Sequence, residues 1–368
     1  MEGLEVTHFG DIYRRRRVLV TGHTGFKGSW LAQWLHLLGA EVTGVALDPA
    51  TTPSLWGELD LTHAERCIDL RGDVRESRTV DAALTRGNPE IVFHLAAQPL
   101  VRRSYRDPLE SWSTNVMGTA NVLDACRRMP GVRAVVVVTT DKVYANREWS
   151  WGYRESDRLG GHDPYAASKA ASELVAASYR QSFFAQPDAP LLATARAGNV
   201  IGGGDWSEDR LIPDLVRATS RGESLEIRSP GATRPWQHVL DCLSGYLLLG
   251  QRLLQGDAAC ADAWNFGPSA HDNRTVEAVL GMMRCHWPAL EWHVSATPRP
   301  HEANLLYLDS ARARSELGWQ PVWQLEQALA ATAGWYRTSQ DGMAGITRRQ
   351  IEDYMIAAAA AGVCWATP

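Results

Sequence analysis

A short apolar run, Val18-Leu19-Val20, passes directly into Thr21-Gly22-His23-Thr24-Gly25-Phe26-Lys27-Gly28, and helical spacing over Ser29 to Leu38 follows. A strand that enters a glycine-spaced turn and leaves it as a helix keeps few folds open. Gly22 permits the tight turn, Gly25 lets backbone N–H groups approach a pyrophosphate, and Gly28 allows the helix to pack close to the strand. The unpaired donors and dipole of the helix N-terminus then favour phosphate. Gly22, Thr24, Gly25, Phe26 and Gly28 are therefore candidate dinucleotide contacts.

Further apolar runs at Val42 to Leu47, Ile91 to Leu95, Ala134 to Thr140 and Leu191 to Arg196 alternate with helical spacing over Thr114 to Arg128 and Tyr165 to Ser182. This alternation predicts an α/β fold, a Rossmann-type doubly wound parallel sheet covered on both faces. Asp48 is read at the end of the second strand, about twenty residues beyond Gly28. A carboxylate there accepts hydrogen bonds from an adenosine ribose and repels a 2′-phosphate, so the expected cofactor is NAD. Lys27, a cation beside the pyrophosphate, would assist NAD or NADP. Asp73 and Val74 after the third strand, and Leu95, Ala96 and Ala97 after the fourth, stand where the adenine and the inner cofactor face would be lined. From about Gly198, the triplet Gly202-Gly203-Gly204 and Pro213, Pro230, Pro235, Pro268, Pro298 and Pro300 punctuate shorter elements, which predicts a smaller loop-rich lobe. The expected division is 1–197, with 237–270 returning to it, as the NAD-binding domain, and 198–236 with 271–368 as the substrate lobe. Ala357 to Ala361 predicts a terminal helix without chemical content.

With 45% hydrophobic residues and a formal charge of -5, the chain has a core to bury and no positive field to draw nucleic acid. Arg14 to Arg17 read as a solvated lead-in to the first strand, and no apolar run is long enough for a membrane span. Cys67, Cys126, Cys242, Cys260, Cys285 and Cys364 form no C-x-x-C pair, and Met1 to Phe9 carry no secretory core, which points to a reducing cytoplasm. His94, His238 and His301 share no metal spacing and read as packing or hydrogen-bonding residues, so no metal is expected. Trp30 and Trp34, one helical turn apart, read as core.

The chemistry concentrates in two places. Tyr165 and Lys169 open a helix one turn apart, so both side chains lie on one face. A tyrosine with a pKa of about 10 becomes a base near neutrality only beside positive charge, which Lys169 and a cationic nicotinamide would supply. The fifth strand ends in Thr139-Thr140-Asp141-Lys142-Val143-Tyr144, placing polar side chains at the carboxyl edge of a parallel sheet, where such folds bind ligands.

The combination of Gly22-x-x-Gly25-x-x-Gly28, Thr140-Asp141-Lys142 and Tyr165-x-x-x-Lys169 resembles the extended short-chain dehydrogenase/reductase family. Within it, the run Gly22 to Leu31, Ala97-Gln98-Pro99-Leu100-Val101-Arg102, Arg196 to Trp206 and Arg234 to Leu240 are similar to the CDP-glucose 4,6-dehydratases, over roughly Tyr13 to Tyr336. The resemblance implies a lyase acting on CDP-D-glucose through a closed redox cycle on NAD. It implies Tyr165 as the base at the C4 hydroxyl, Thr140 bonded to the same oxygen, and Lys169 stabilising the phenolate. Lys142 would remove the C5 proton and Asp141 would protonate the departing C6 hydroxyl. The related dTDP-glucose enzymes carry glutamate in place of Lys142. In the substrate lobe Asn199, Arg210, Arg234 and Arg299 would meet the diphosphate, Glu302 the sugar, and a homodimer or higher homo-oligomer is implied.

Other readings stay open on the residues alone. A 4-epimerase would share the glycine turn and Tyr165-x-x-x-Lys169 but needs no adjacent acid and base, so Asp141-Lys142 discriminates. A non-catalytic NAD-binding sensor built on the same fold could afford to lose Tyr165 and Lys169. The choice among CDP, dTDP and UDP sugars rests on resemblance.

Overall fold

The alternating apolar runs form seven parallel strands: β1 (Arg17–Thr21), β2 (Glu41–Ala46), β3 (Cys67–Arg71), β4 (Ile91–His94), β5 (Ala134–Val138), β6 (Leu191–Ala197) and β7 (Ala263–Phe266). They lie in the order β3-β2-β1-β4-β5-β6-β7. The computed structural model describes residues 7–59, 61–227, 229–295, 305–338 and 342–367. Because the chain winds outward from β1 in both directions, the strand order reverses between β1 and β4, and their carboxyl ends diverge into the crevice where such sheets take ligands.

Side chains alternate across the sheet, as the two-residue period requires. Val18, Val20, Ile91, Phe93, Val136 and Ala193 face one core, with helices α1 (Phe26–Leu37) and α5 (Val239–Leu254). Leu19, Val92, Val135, Val137 and Leu192 face the other, under α2 (Ser77–Gly87), α3 (Gly118–Arg128) and α4 (Pro164–Ser182). Helix α1 is buried continuously from Gly28 to Leu35. Trp30 and Trp34 are fully buried core residues, as their spacing indicated, and each such side chain contributes about 3 kcal/mol on burial. The Trp30 indole also donates to the Gly203 carbonyl at 2.9 Å, tying α1 to the glycine triplet. Gly203 is needed there because any Cβ would run into the Trp335 ring, and Gly204 adopts φ +78°.

Several boundaries differ from expectation. The second strand stops at Ala46, so Leu47 and Asp48 lie beyond it in the turn. Helix α1 begins at Phe26 rather than Ser29, since Gly25 serves as its N-cap. Before α3, a π-helical turn over Ser113–Met117 replaces the expected first turn of α-helix. Strand β7 was not foreseen: four residues preceded by a short helical turn carry too little pattern to stand out.

The terminal helix extends further than the alanine run, as α6 (Met343–Ala360). It packs Tyr354 between Trp34 and Trp365 and against Trp323. Asp241 on α5, fully buried, accepts from the Tyr354 hydroxyl at 2.7 Å and from the backbone N–H of Val322 at 2.6 Å. Thr7–His8 pair with Ala366–Thr367, so the start and end of the described chain form one antiparallel ribbon. No helix among the described residues is long and apolar enough to cross a membrane.

Candidate active site

The glycine turn is fixed by contacts within the protein. Gly22 has φ +76°, and a Cβ there would lie 2.7 Å from the Ala96 nitrogen. Gly28 abuts the Gly22 carbonyl with no room for a methyl group, whereas a Cβ on Gly25 would meet only the Gly22 oxygen, at 3.4 Å. The crowded glycines thus shape the turn and Gly25 leaves the N-terminus of α1 open. Thr21, at the end of β1, accepts from the N–H groups of Leu95 and Ala96 at 3.1 Å each, which draws the loop after β4 against the turn. Thr24 donates to the Leu47 carbonyl at 2.9 Å, closing the other side.

Asp48 presents its carboxylate at the rim, 86% exposed, with Arg71 3.2 Å away. Asp73 is engaged twice by the Arg75 guanidinium, at 2.7 and 2.5 Å, and that hydrogen bonding holds its carboxyl below the ordinary carboxylate range. Val74 is buried against Gly118. An open helix N-terminus, a crowded glycine turn and an exposed carboxylate beyond β2 fit a dinucleotide with a free adenosine ribose.

The π turn has a purpose in this frame. It aims the Asn115 side chain inward, where Oδ1 accepts from the Gln98 N–H at 2.9 Å and Nδ2 donates to Ser168 Oγ at 2.8 Å. Ser168 lies on α4 between Tyr165 and Lys169. The loop after β4 and the helix carrying the tyrosine are therefore held together by one amide. Such turns recur where function requires a side chain off the regular helical track.

Beyond β5, Thr140 caps a short 3₁₀ turn over Asp141–Val143. Its hydroxyl donates to Asp141 Oδ1 at 3.0 Å and stands near enough to the Tyr165 phenol to act on it. Asp141 is 3% exposed. Burial raises its carboxyl pKa, against the opposing pull of Lys142, Thr140, Arg234 and Lys27. Burial likewise pushes the Tyr165 phenol to about 12, with Thr140 and Arg210 opposing. Lys169 is buried, donates to the Val138 carbonyl at 2.9 Å, and has its amine brought down to about 8 by burial first and by Lys27 second, with Glu173 acting the other way. Thr140, Asp141, Tyr165 and Lys169 are therefore gathered at the carboxyl end of β5.

The segment that follows β6 also approaches Asp141. Gly198 leaves space for Asp141: a Cβ would stand 3.0 Å from its carboxylate and 2.9 Å from the Pro235 ring. Asn199 accepts from the Gln237 N–H at 3.1 Å, so the segment after β6 and the Arg234–Gln237 segment run together past the acid. Arg234 acts electrostatically on Asp141 and Arg210 on Tyr165. Arg210 also pairs with Asp205 at 3.2 Å. Arg299, Glu302 and His301 lie outside the described residues. His94 hydrogen-bonds Thr21 and Thr119, and His238 caps α5. Among the described residues, no group of three or more His, Cys, Asp or Glu could hold a metal ion.

A model of the GDP-mannose 4,6 dehydratase family matches residues 19–332. The chain belongs to that family. It is 46% identical over 355 residues to the CDP-glucose 4,6-dehydratase of Salmonella typhimurium, covering 94% of this chain and 98% of that one. It is 31% identical to the dTDP-glucose 4,6-dehydratase of Streptomyces griseus, covering 87% and 93%. Among solved structures, the dTDP-glucose 4,6-dehydratase DesIV from Streptomyces venezuelae, with NAD bound, superposes with a TM-score of 0.74 at 27% identity, covering 90% of this chain and 99% of that one. A Thermus thermophilus UDP-glucose 4-epimerase in complex with NAD matches at the same TM-score of 0.74, with 25% identity and coverage of 88% and 99%. The backbone of this dehydratase family thus does not separate dehydration from epimerisation. Side chains must.

Two features escaped the sequence reading. Lys27 does not stay at the pyrophosphate turn: its ammonium reaches Tyr246 on α5, 3.4 Å away, and its charge is felt by Asp141 and Lys169. A signal for it was present, since of 37 lysines and arginines only Lys27, Lys142 and Lys169 are lysines, and all three are in the site. The second is a buried ion pair between Glu173 on α4 and Arg196 on β6, whose members are too far apart in sequence to be paired by spacing.

Proposed function

We propose that the protein is an NAD-dependent hydro-lyase that converts CDP-D-glucose to CDP-4-dehydro-6-deoxy-D-glucose. The observation that carries this reading is the buried Asp141, hydrogen-bonded to the same Thr140 that meets Tyr165, with Lys142 next in the turn. Epimerisation at C4 has no use for that acid and base. The Gly22–Gly28 turn and Asp48 would hold NAD, which would supply the hydride acceptor for C4 and the hydride donor for C6. Tyr165 takes the C4 hydroxyl proton, Thr140 hydrogen-bonds the same oxygen, and the Lys169 ammonium stabilises the phenolate. The resulting carbonyl acidifies C5, Lys142 removes that proton, Asp141, whose carboxyl pKa burial raises, gives its own to the C6 hydroxyl as it leaves as water, and Lys142 returns the proton to C5 as hydride reaches C6. Asn199, Arg210 and Arg234 hold the diphosphate from the lobe formed by 198–236 and 271–368. Cytidine as the base rests on the likeness to the Salmonella enzyme.

Purified protein incubated with NAD and CDP-, dTDP- or UDP-glucose, followed by mass spectrometry, tests this directly. CDP-glucose is expected to lose one water and turn over fastest. A product of unchanged mass inverted at C4 would make the protein an epimerase, and a preference for dTDP-glucose would overturn the nucleotide assignment.

We further propose a homodimer. Leu109, Trp112 and Met117 leave large apolar surface exposed beside α4, which exposes Leu174 on the same side of the sheet. Apolar side chains exposed together on neighbouring elements suit an interface. Replacing Leu109 and Leu174 with glutamate is expected to halve the mass measured by sedimentation, and an unchanged mass would assign the face elsewhere. The six cysteines are free, which suits a reducing cytoplasm.

A further inference from the structure

Glu173 has no part in the chemistry above, yet it is placed in line with it. It follows Lys169 by one turn of α4, as Lys169 follows Tyr165, so all three share the buried face. Its carboxylate accepts from Thr139 Oγ1 at 2.5 Å, Thr194 Oγ1 at 2.7 Å and Arg196 Nη2 at 2.8 Å. Arg196 passes the network on: Nη1 donates to the Tyr144 hydroxyl at 2.8 Å, and that hydroxyl donates to Asn265 on β7 at 2.8 Å. Thr139 and Tyr144 bracket Thr140-Asp141-Lys142. One ion pair therefore grips the acid–base turn at both ends and the tyrosine helix from beneath. Burying such a pair seldom stabilises a fold more than apolar packing of the same volume would, so stability alone is a weak reason for it.

We propose that the Glu173–Arg196 pair is a positioning device for the reaction, fixing the Thr140-Asp141-Lys142 turn through Thr139 and Tyr144 and setting a permanent negative charge one helical turn from the Lys169 ammonium. Burial on its own would raise the Glu173 carboxyl, but Arg196 and the two threonine hydroxyls outweigh it and hold the group ionised. Around Lys169 the other charged and titratable groups are Lys27 from α1, which opposes its charge, His94 from β4, kept neutral by burial, and Tyr165 on α4 itself. Glu173 is the one group in this set that favours the ammonium. Without it, Lys169 releases its proton at lower pH, and Tyr165 loses the cation that makes it a base.

The inference rests on Tyr165 and Lys169 being the oxidising pair, and the test separates the two ideas. Because the chain has three lysines, isotope-labelled lysine gives a readable NMR titration of the cofactor-free protein. In Glu173→Gln, and in Glu173→Gln/Arg196→Met, which leaves no unpaired buried charge, the Lys169 midpoint is expected to fall by about one pH unit, a tenfold loss of proton affinity. The alkaline limb of kcat is expected to move the same way with KM nearly constant, and Glu173→Asp should restore both. A folded variant whose Lys169 titrates as in the parent overturns the proposal, as does loss of folding in both variants, which would make the pair structural. A parent that titrates as expected but leaves CDP-glucose intact refutes the functional reading and spares this one.

Discussion

Replacing Tyr165 with phenylalanine is expected to cut kcat by about a thousandfold while leaving substrate affinity nearly unchanged. The ring is buried at the head of α4 and its removal is not required by the substitution, so the packing survives. What disappears is the proton acceptor at C4. Burial places this phenol at about 12, with Thr140 and Arg210 pulling the other way. It therefore depends on the Lys169 charge and the cofactor to act near neutrality, and no nearby side chain offers the same geometry. Mixed with CDP-glucose and NAD in a single turnover, the variant should show no rise in the near-ultraviolet absorbance of reduced nicotinamide. A variant within about tenfold of the parent would remove Tyr165 from the first step.

Lys142→Met is expected to give the opposite pattern. Oxidation at C4 should proceed, since Thr140, Tyr165 and Lys169 are untouched, so reduced cofactor and an unreleased 4-keto sugar should accumulate. Product should form about a hundredfold or more slowly, because nothing else in the Asp141–Val143 turn removes the C5 proton. In heavy water the parent should exchange the C5 hydrogen and the variant should not. Normal 4-keto-6-deoxy product from this variant would exclude Lys142 as the base. Together the two substitutions divide the reaction at the ketone.

The parts of this arrangement that were legible in the sequence are those written in local code. Gly22, Gly25 and Gly28 announce a strand-to-helix turn because backbone sterics act on neighbours, and Tyr165 and Lys169 share a face because a helix repeats. The doubly wound sheet followed from alternation alone. Asp48 was assigned to its strand two residues too far, since hydrogen bonding rather than polarity decides where a strand ends. Strand β7 is recruited to the sheet edge by pairing with β6, a contact no local window contains. Asn115 looked like one more residue of a regular helix, and only the π turn reveals that it joins the Gln98 loop to α4. Glu173 lay unremarked within the helical spacing of Tyr165 to Ser182 and Arg196 ended an apolar run, and only the fold buries them against each other.

Asp241 carries a consequence for the far end of the chain. The same carboxyl that receives the Tyr354 hydroxyl stands at the start of α5, three residues beyond His238 and just after the Arg234–Gln237 segment that borders the acid. Force applied to α6 is thus transmitted through Asp241 to the segment that borders the acid, and through Trp34 to the helix that leaves the glycine turn. A helix with no reactive group of its own becomes a shared buttress, so damage there would loosen the Arg234–Gln237 segment and the helix of the glycine turn together.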